Sequence, residues 1–554
     1  MAYGQKTAQA GYAASRPHSR HTRNTYYIVG EGRFAYDSNH KSVCEKIPPA
    51  EEQQEFRFSR IGPRGTALDT ELLKAVAAAM TGATNQRDSN PPIPAGYTYL
   101  GQFVDHDFTR MRVDLPLGAP ATDPQLIQQR SPALDLDTLY GGGPAHAEDR
   151  RFYAADGLRL VMGTTQKTAA PPNTNVDMAG FDLPREGAAP DLAGQRKAAI
   201  PDLRNDENLA VAQTHLAFMR FHNRVVSQSG ATTFAAARAK VVKHYQWMLK
   251  TDFLPRIVDQ AIIDSVFTNG RKFFEPNPVA GSFPTMPVEF SVAAFRLGHS
   301  MIRASYEWNM AFRTGGPIGV AGTLPLLFNF SGTSGTLTPP GPTQFNRLPT
   351  NWIADFRRLY NFGEAGRPDL VVPPAAFNVT MNIDTTMVDP LALLPPGSFG
   401  PPAPVPAPPP HELNLAFRNL ARANMVQLAS GQQMAAKFNL PALGASDILA
   451  GKGGPGIVNL SSLTAAQKTA FTTNTPLWFY ILREAELNGG RLTGVGGRIV
   501  AEVFHRSIEG STDSIIKDAA FRPSLGPNPQ TFRMTDLLLF ASEGKAEILN
   551  PLGA

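Results

Sequence analysis

The stretch "YTYLGQFVDHDFTR", residues 97–110, sets His106 between Asp105 and Asp107, close behind Gln102. A solvated loop can bring these residue types together by accident, whereas a metal or cofactor pocket has a use for each. His299 lies in "AAFRLGHSMIR", on the apolar stripe of a segment, 287–303, that reads as helix. Such a histidine is ordinarily a buried, hydrogen-bonded core residue. The chemical alternative is an axial iron ligand, for which a helix supplies rigidity and a fixed ring direction. In "IPDLRNDENLAVAQTHLAFMRFHNRVV", Arg204 and Glu207 stand three apart at a helix start and could face one side. A capping turn with solvated charges explains them as well. In "RSPALDLDTLYGGG", Asp135 and Asp137 alternate, which in extended backbone points both carboxylates the same way, with Ser131 just ahead. Oxygen donors of this kind suit calcium, although many turns contain a bare D-x-D.

The other histidines have plainer explanations. His18, His21 and His40 sit in a polar arm, His146 in a Gly-rich loop, and His411 after a proline run. His244 and His505 fall on amphipathic helices, and His215 and His222 share one helix as packing residues.

The elements that must position these groups are mainly helical. Of 554 residues, 42% are hydrophobic and 18% charged, enough for a large buried core. The net charge of +5 comes without a dense Lys/Arg block interleaved with aromatics, so no nucleic-acid partner is expected. The single cysteine, Cys44, excludes an internal disulfide and Cys-rich metal sites. The N-terminus lacks an apolar stretch of signal-peptide length, and no run of 18 apolar residues predicts a transmembrane helix. The expectation is a soluble protein, cytoplasmic by default or exported without a recognisable signal.

Residues 1–45 read as a loosely ordered polar arm and 46–554 as one large helical domain with long Pro/Gly-rich loops. Helices are predicted at 69–80, 206–228, 232–251, 287–303, 411–427, 464–472, 476–488 and 495–508, with "DQAIIDSVF" continuing the third after Pro255. The stretch 111–200 is mostly loop, and "LLPPGSFGPPAPVPAPPPHE" marks a Pro-rich surface loop at about 389–410.

Taken in order, "LGQFVDHDFT", "LDLDTLYG", "LRNDENLAVAQTHLAFMRFHNRVV", "AFRLGHSMIR", "RNLARANMVQLASGQQMA" and "TPLWFYILREAE…GVGGRIVAEVF" resemble the animal-type haem peroxidases of the peroxidase–cyclooxygenase superfamily, in particular its bacterial branch. The resemblance spans roughly residues 95–510. It implies a mostly α-helical fold around a buried haem, either haem b or an ester-linked derivative, with calcium nearby. It makes His106 the distal acid–base group, Gln102 the distal glutamine, Arg204 the distal arginine and His299 the proximal ligand. Asn419 would hydrogen-bond the far nitrogen of His299, Arg422 would meet a haem propionate, and Asp105 and Glu207 would be the ester-forming carboxylates. Asp107, Ser131, the Ala133 carbonyl, Asp135 and Asp137 would hold calcium. Asn208 stands where some mammalian members carry a methionine that adds a third link, so that link is not expected.

The implied activity is reduction of hydrogen peroxide with oxidation of halides, thiocyanate or phenolic donors. His106 must be neutral to accept a proton, and an unperturbed imidazole would let activity fall below about pH 6. A fatty-acid dioxygenase or cyclooxygenase-like enzyme is the first rival. Those relatives carry a radical-forming tyrosine three residues before the proximal histidine, where this chain has Arg296. The second rival is a haem- or calcium-binding protein without turnover.

Overall fold

The computed structural model describes the backbone of 25–28, 32–36 and 42–45. It then describes 58–553, apart from 83–86, 114, 123–124, 172–173, 229, 280–281, 339–343, 396–397 and 399–407. Much of the polar arm and of the Pro-rich loop therefore lies outside the described residues. Within the arm, Thr25–Ile28, Gly32–Tyr36 and Ser42–Glu45 pair as a three-stranded antiparallel sheet, regular structure that the polar composition does not announce.

Helix α1, Thr70–Thr81, starts where the Asp69 carboxylate accepts the N–H groups of Glu71 and Leu72. It buries Leu72, Leu73, Val76, Ala77 and Met80, the spacing of one helical face. Helix α2, Gly96–Phe108, carries the "VDHD" motif and is not among the predicted helices. The physical reason is that its polar residues also face inward, so the usual contrast between an apolar and a solvated face is missing. The Tyr360 ring occupies the space a Cβ at residue 96 would need, 2.2 Å from its nearest atom, and its hydroxyl donates to the Gly96 carbonyl. Only glycine lets this end of α2 approach so closely.

A 3-10 turn, Leu203–Asp206, leads into α3, Leu209–Gln228, whose first turn is capped by the Asn208 side-chain oxygen, which accepts from the Val211 N–H. Helix α4, Phe234–Met248, runs on through a π-turn, Leu249–Phe253, and a short turn to Ile257. The expected continuation into "DQAIIDSVF" is broken: Val258 is extended and Asp259 caps a separate helix, Gln260–Asn269. The segment 287–303 is likewise no single α-helix, but a π-turn, Glu289–Ala293, followed by a 3-10 stretch, Ala294–Met301. Helices α5, Leu415–Met425, α6, Leu477–Leu487, α7, Gly494–Gly510, and α8, Met534–Ala541, complete the frame used below.

The core sits where α2, α3, the Glu289–Met301 segment, α5, α6 and α7 meet. Phe103 of α2 stacks on Phe218 of α3 at 4.4 Å, and Phe108, Phe290, Phe295 and Phe504 join α2, the π-turn and α7 in one aromatic cluster. Each such side chain contributes about 1.5–3 kcal/mol on burial, so this cluster anchors the two segments that carry His106 and His299. Strand pairing elsewhere among the described residues is confined to short ribbons. No helix among them is long and apolar enough to cross a membrane.

Candidate active site

His106 is buried on α2, and its Nδ1 lies 2.9 Å from Asn205 Oδ1. Its Nε2 points to Glu207, whose Oε1 is 3.7 Å away. The Gln102 amide donates to that same Glu207 oxygen at 2.6 Å and accepts from Asn208 at 3.0 Å. Arg204 donates to the carbonyls of His106 and Thr109, each at 2.9 Å, and to the Asp202 carboxylate. Buried Asp202 also pairs with buried Arg130. The 3-10 turn thus lays Arg204 and Glu207 on one side, as their spacing suggests, with Asp202 fixing the arginine. Asp202 and Asn205 were not singled out by the sequence reading. Their only signal is adjacency to Arg204, since neither type is distinctive in a polar turn.

Burial sets the proton affinities here. His106 is held well below the ordinary histidine value, first by burial and then by the Arg204 charge. The expectation of a limit near pH 6 is therefore revised: neutral His106 persists to lower pH because its cation is poorly solvated. Glu207 is pushed up to about 7 by burial, opposed by Arg204 and by the Gln102 hydrogen bond. Asp105 is also raised by burial, although Arg296 and Arg204 oppose the shift. For Asp202, burial is overcome by Arg130, Arg204 and Arg110, and the carboxylate is held well below its usual range.

His299 stands in the 3-10 stretch that packs against α2, with the Asn419 Nδ2 of α5 2.8 Å from its Nδ1. With that amide flipped, its oxygen would accept from Nδ1–H and leave the Nε2 lone pair for a metal. Burial, then Arg296, pushes His299 down to about 3, so the ring is neutral. Trp478 packs edge-on against it at 6.5 Å, a contact that the sequence reading missed, and donates its indole N–H to the Arg296 carbonyl. Arg422 follows Asn419 by one turn of α5.

These residues fit a haem. Gln102, Asp105, Arg204, Glu207, Arg296, Gly298, His299 and Arg422 are half-buried beside a buried core, which leaves part of each open to a ligand. A Cβ on Gly298, beside His299, would meet no atom within 4 Å. Asp105 Oδ1 is buried with no hydrogen-bond partner, a carboxylate oxygen that a ligand edge would satisfy.

The expected calcium residues gather on the far side of α2. Asp107 accepts from the N–H groups of Leu136 and Thr138, each at 3.2 Å, and from the Tyr245 hydroxyl. Asp107, Asp135 and Asp137 are all buried, and burial followed by Asp135 repulsion pushes Asp107 up to about 7. The backbone is not extended here, so alternation does not align the two carboxylates. Leu136 is left-handed (φ 59°) and Asp137 opens a short helix, Asp137–Tyr140. The Ala133 carbonyl accepts from the Asp135 N–H, and the Ala133 N–H donates to Ser131. Arg238 lies 3.7 Å from Asp135 and 3.8 Å from Asp137. The oxygen donors and excess negative charge suit a divalent cation, yet no three acidic, His or Cys side chains close into a metal cage among the described residues.

Residues 84–317 match the animal haem peroxidase family model. A peroxidasin homologue of Caenorhabditis elegans is 28% identical over 182 residues, which is 30% of this chain but 13% of that relative. Peroxidase A of Dictyostelium discoideum superposes with a TM-score of 0.53 at 15% identity, covering 89% of this chain and 93% of that one. A fatty acid alpha-dioxygenase of Oryza sativa reaches 0.50 at 12% identity, covering 88% and 79%. These structural likenesses speak to the fold. The matched segment contains both His106 and His299, and these findings support a relationship to the animal-type haem peroxidases. That family binds haem.

Proposed function

We propose that the protein is a peroxidase that reduces hydrogen peroxide and oxidises small anionic or phenolic donors, among them halides and thiocyanate. The observation that supports this reading is a neutral, buried His106 whose carbonyl Arg204 holds, with a neutral His299 on the 3-10 stretch packed against the same helix. Haem, when bound, would supply the electrons and the iron that polarises the peroxide. His299 would hold the iron through Nε2, with Asn419 fixing its ring. Asp105 and Glu207 would face the haem edge and could form ester links, and Arg422 would meet a propionate.

The chain's own part is proton movement and charge placement. His106 Nε2 takes the proton from one peroxide oxygen and returns it to the other, so that water rather than hydroxide departs. Arg204 stays charged because Asp202 overcomes the cost of its burial. It places positive charge beside His106, which favours the negative charge that develops as the oxygens separate. Gln102, held between Asn208 and Glu207, fixes the polar wall on which peroxide and water would lie. Asp107, Ser131, Ala133, Asp135 and Asp137 would take calcium, tying the helix of His106 to the 131–138 segment. Arg296, anchored to the Ser291 carbonyl, supports the peroxidase reading over the dioxygenase one, because no tyrosine stands at that step before His299.

The test is the optical spectrum of the haem-loaded protein before and after stoichiometric hydrogen peroxide, compared with His106→Ala. Rapid loss of Soret intensity, recovery on adding iodide or guaiacol, and a slow response in the variant are expected. Equal, slow responses in both proteins would refute the assignment.

A further inference from the structure

Asn205 is fully buried in the 3-10 turn that delivers Arg204 and Glu207. Its Nδ2 lies 2.8 Å from Thr138 Oγ1 and 2.9 Å from His215 Nδ1, while its Oδ1 lies 2.9 Å from His106 Nδ1. With both amide hydrogens directed to Thr138 and His215, the oxygen is left as the acceptor for His106. The imidazole then carries its proton on Nδ1 and presents the Nε2 lone pair to the cleft.

The surroundings hold this arrangement in place. His215 sits edge-on to Phe103 at 5.8 Å, and its Nε2 has no hydrogen-bond partner, so Asn205 is the polar group that engages its ring. The Thr138 N–H donates to Asp107, the residue after His106. Arg204, the residue before Asn205, holds the His106 carbonyl. Two consecutive residues therefore grip one histidine, the first by its main chain and the second by its ring.

We propose that Asn205 is the positioning residue for His106, selecting the tautomer whose Nε2 can accept a proton; this rests on the peroxidase reading above. A packing role alone does not require an amide with three buried polar contacts. An isosteric leucine would keep the volume and lose the acceptor. An aspartate would keep an acceptor for His106, lose the donations to Thr138 and His215, and add a buried carboxylate in their place.

The test uses the haem-loaded protein and the association rate of cyanide, followed by the Soret shift. Hydrogen cyanide must give its proton to a base as it binds, so the rate reports His106 without turnover. Asn205→Leu is expected to slow cyanide binding and the peroxide reaction by about 10–100-fold, the range for loss of an outer-sphere orienting partner, with haem content unchanged. Asn205→Asp is expected to stay within about threefold of wild type. If Asn205→Leu does not hold haem, Asn205→Ser, too short to reach the ring, replaces it in the comparison with Asn205→Asp. A Leu or Ser variant as fast as wild type, or an Asp variant as slow as them, overturns the assignment. His106→Ala separates the two levels. If it is slow while Asn205→Leu is fast, only the role of Asn205 fails; if it binds cyanide as fast as wild type, the reading of His106 as proton acceptor fails and this inference with it.

Discussion

The two histidines of the cleft are supported in different ways. Around His106, Asn205, Arg204, Glu207, Gln102 and Asn208 form a continuous polar mesh, with Asp202 and Arg130 behind it. Around His299, a single amide, Asn419, meets the ring, and the rest of the support is Trp478 and the aromatic cluster reached through Phe295. A group that moves protons needs its tautomer, its direction and its electrostatic surroundings specified, each of which takes a polar partner. A metal ligand needs a neutral ring aimed in one direction, which packing and one hydrogen bond provide. On the proposed reading, the contrast separates proton movement from haem attachment.

The largest expected effect breaks the attachment side. His299→Ala should lose haem on gel filtration, read as the ratio of Soret to protein absorbance, whereas His106→Ala should retain it. Retention of haem by both variants would dissolve the contrast. Calcium removal comes next. At calcium about 1,000-fold above its dissociation constant, binding would stabilise the fold by about 4 kcal/mol. Chelation should therefore lower the unfolding midpoint in urea, and added calcium should restore it; an unchanged midpoint would mean that Asp107, Asp135 and Asp137 are held by Arg238 and hydrogen bonds alone.

On the proton-moving side, Arg204→Leu should slow the peroxide reaction by about 10²–10³-fold, the scale for losing one charge-stabilising donor, with the haem still bound. Stopped-flow measurement at fixed peroxide decides this. Asn419→Ala should weaken haem retention or activity by about 10–100-fold, less than loss of His299 itself. The smallest effect is the pH dependence. Because burial and Arg204 depress His106, its neutral form persists as pH falls, and the acid limb of the peroxide reaction should lie well below about pH 6. A limb at about 6 or above would mean that water reaches the ring and restores its ordinary affinity for protons.

Much of the site was legible as residues and little of it as geometry. Gln102, Asp105, His106, Arg204, Glu207, His299 and Asn419 could each be named from short motifs, and the structure gathers Gln102, Arg204 and Glu207 around His106 and sets Asn419 against His299. Helix α2 was not legible, because Gln102, Asp105 and His106 face the interior and erase the periodic contrast by which a surface helix is recognised. The 287–303 segment has helical periodicity, but the change from π to 3-10 winding around Ala293–Ala294 depends on packing against α5, α6 and α7. Asp135 and Asp137 alternate as a strand would, and only the left-handed Leu136 and the contacts to Asp107 show a turn in its place.

By itself, the sequence determined the mainly helical class, the absence of disulfide or Cys-rich metal chemistry, and the identity of the ionisable groups, because these follow from composition, periodicity and residue type. Tertiary structure decided their protonation and direction. His106 is neutral because its surroundings are buried and Arg204 is near. His299 faces Asn419 because α5 packs beside the Glu289–Met301 segment. Asn205, an unremarked amide in a polar turn, reaches His106, Thr138 and His215 only once the chain is folded. Proton affinity and hydrogen-bond direction depend on neighbours as far as 120 residues away in the chain, and such neighbours are set by packing.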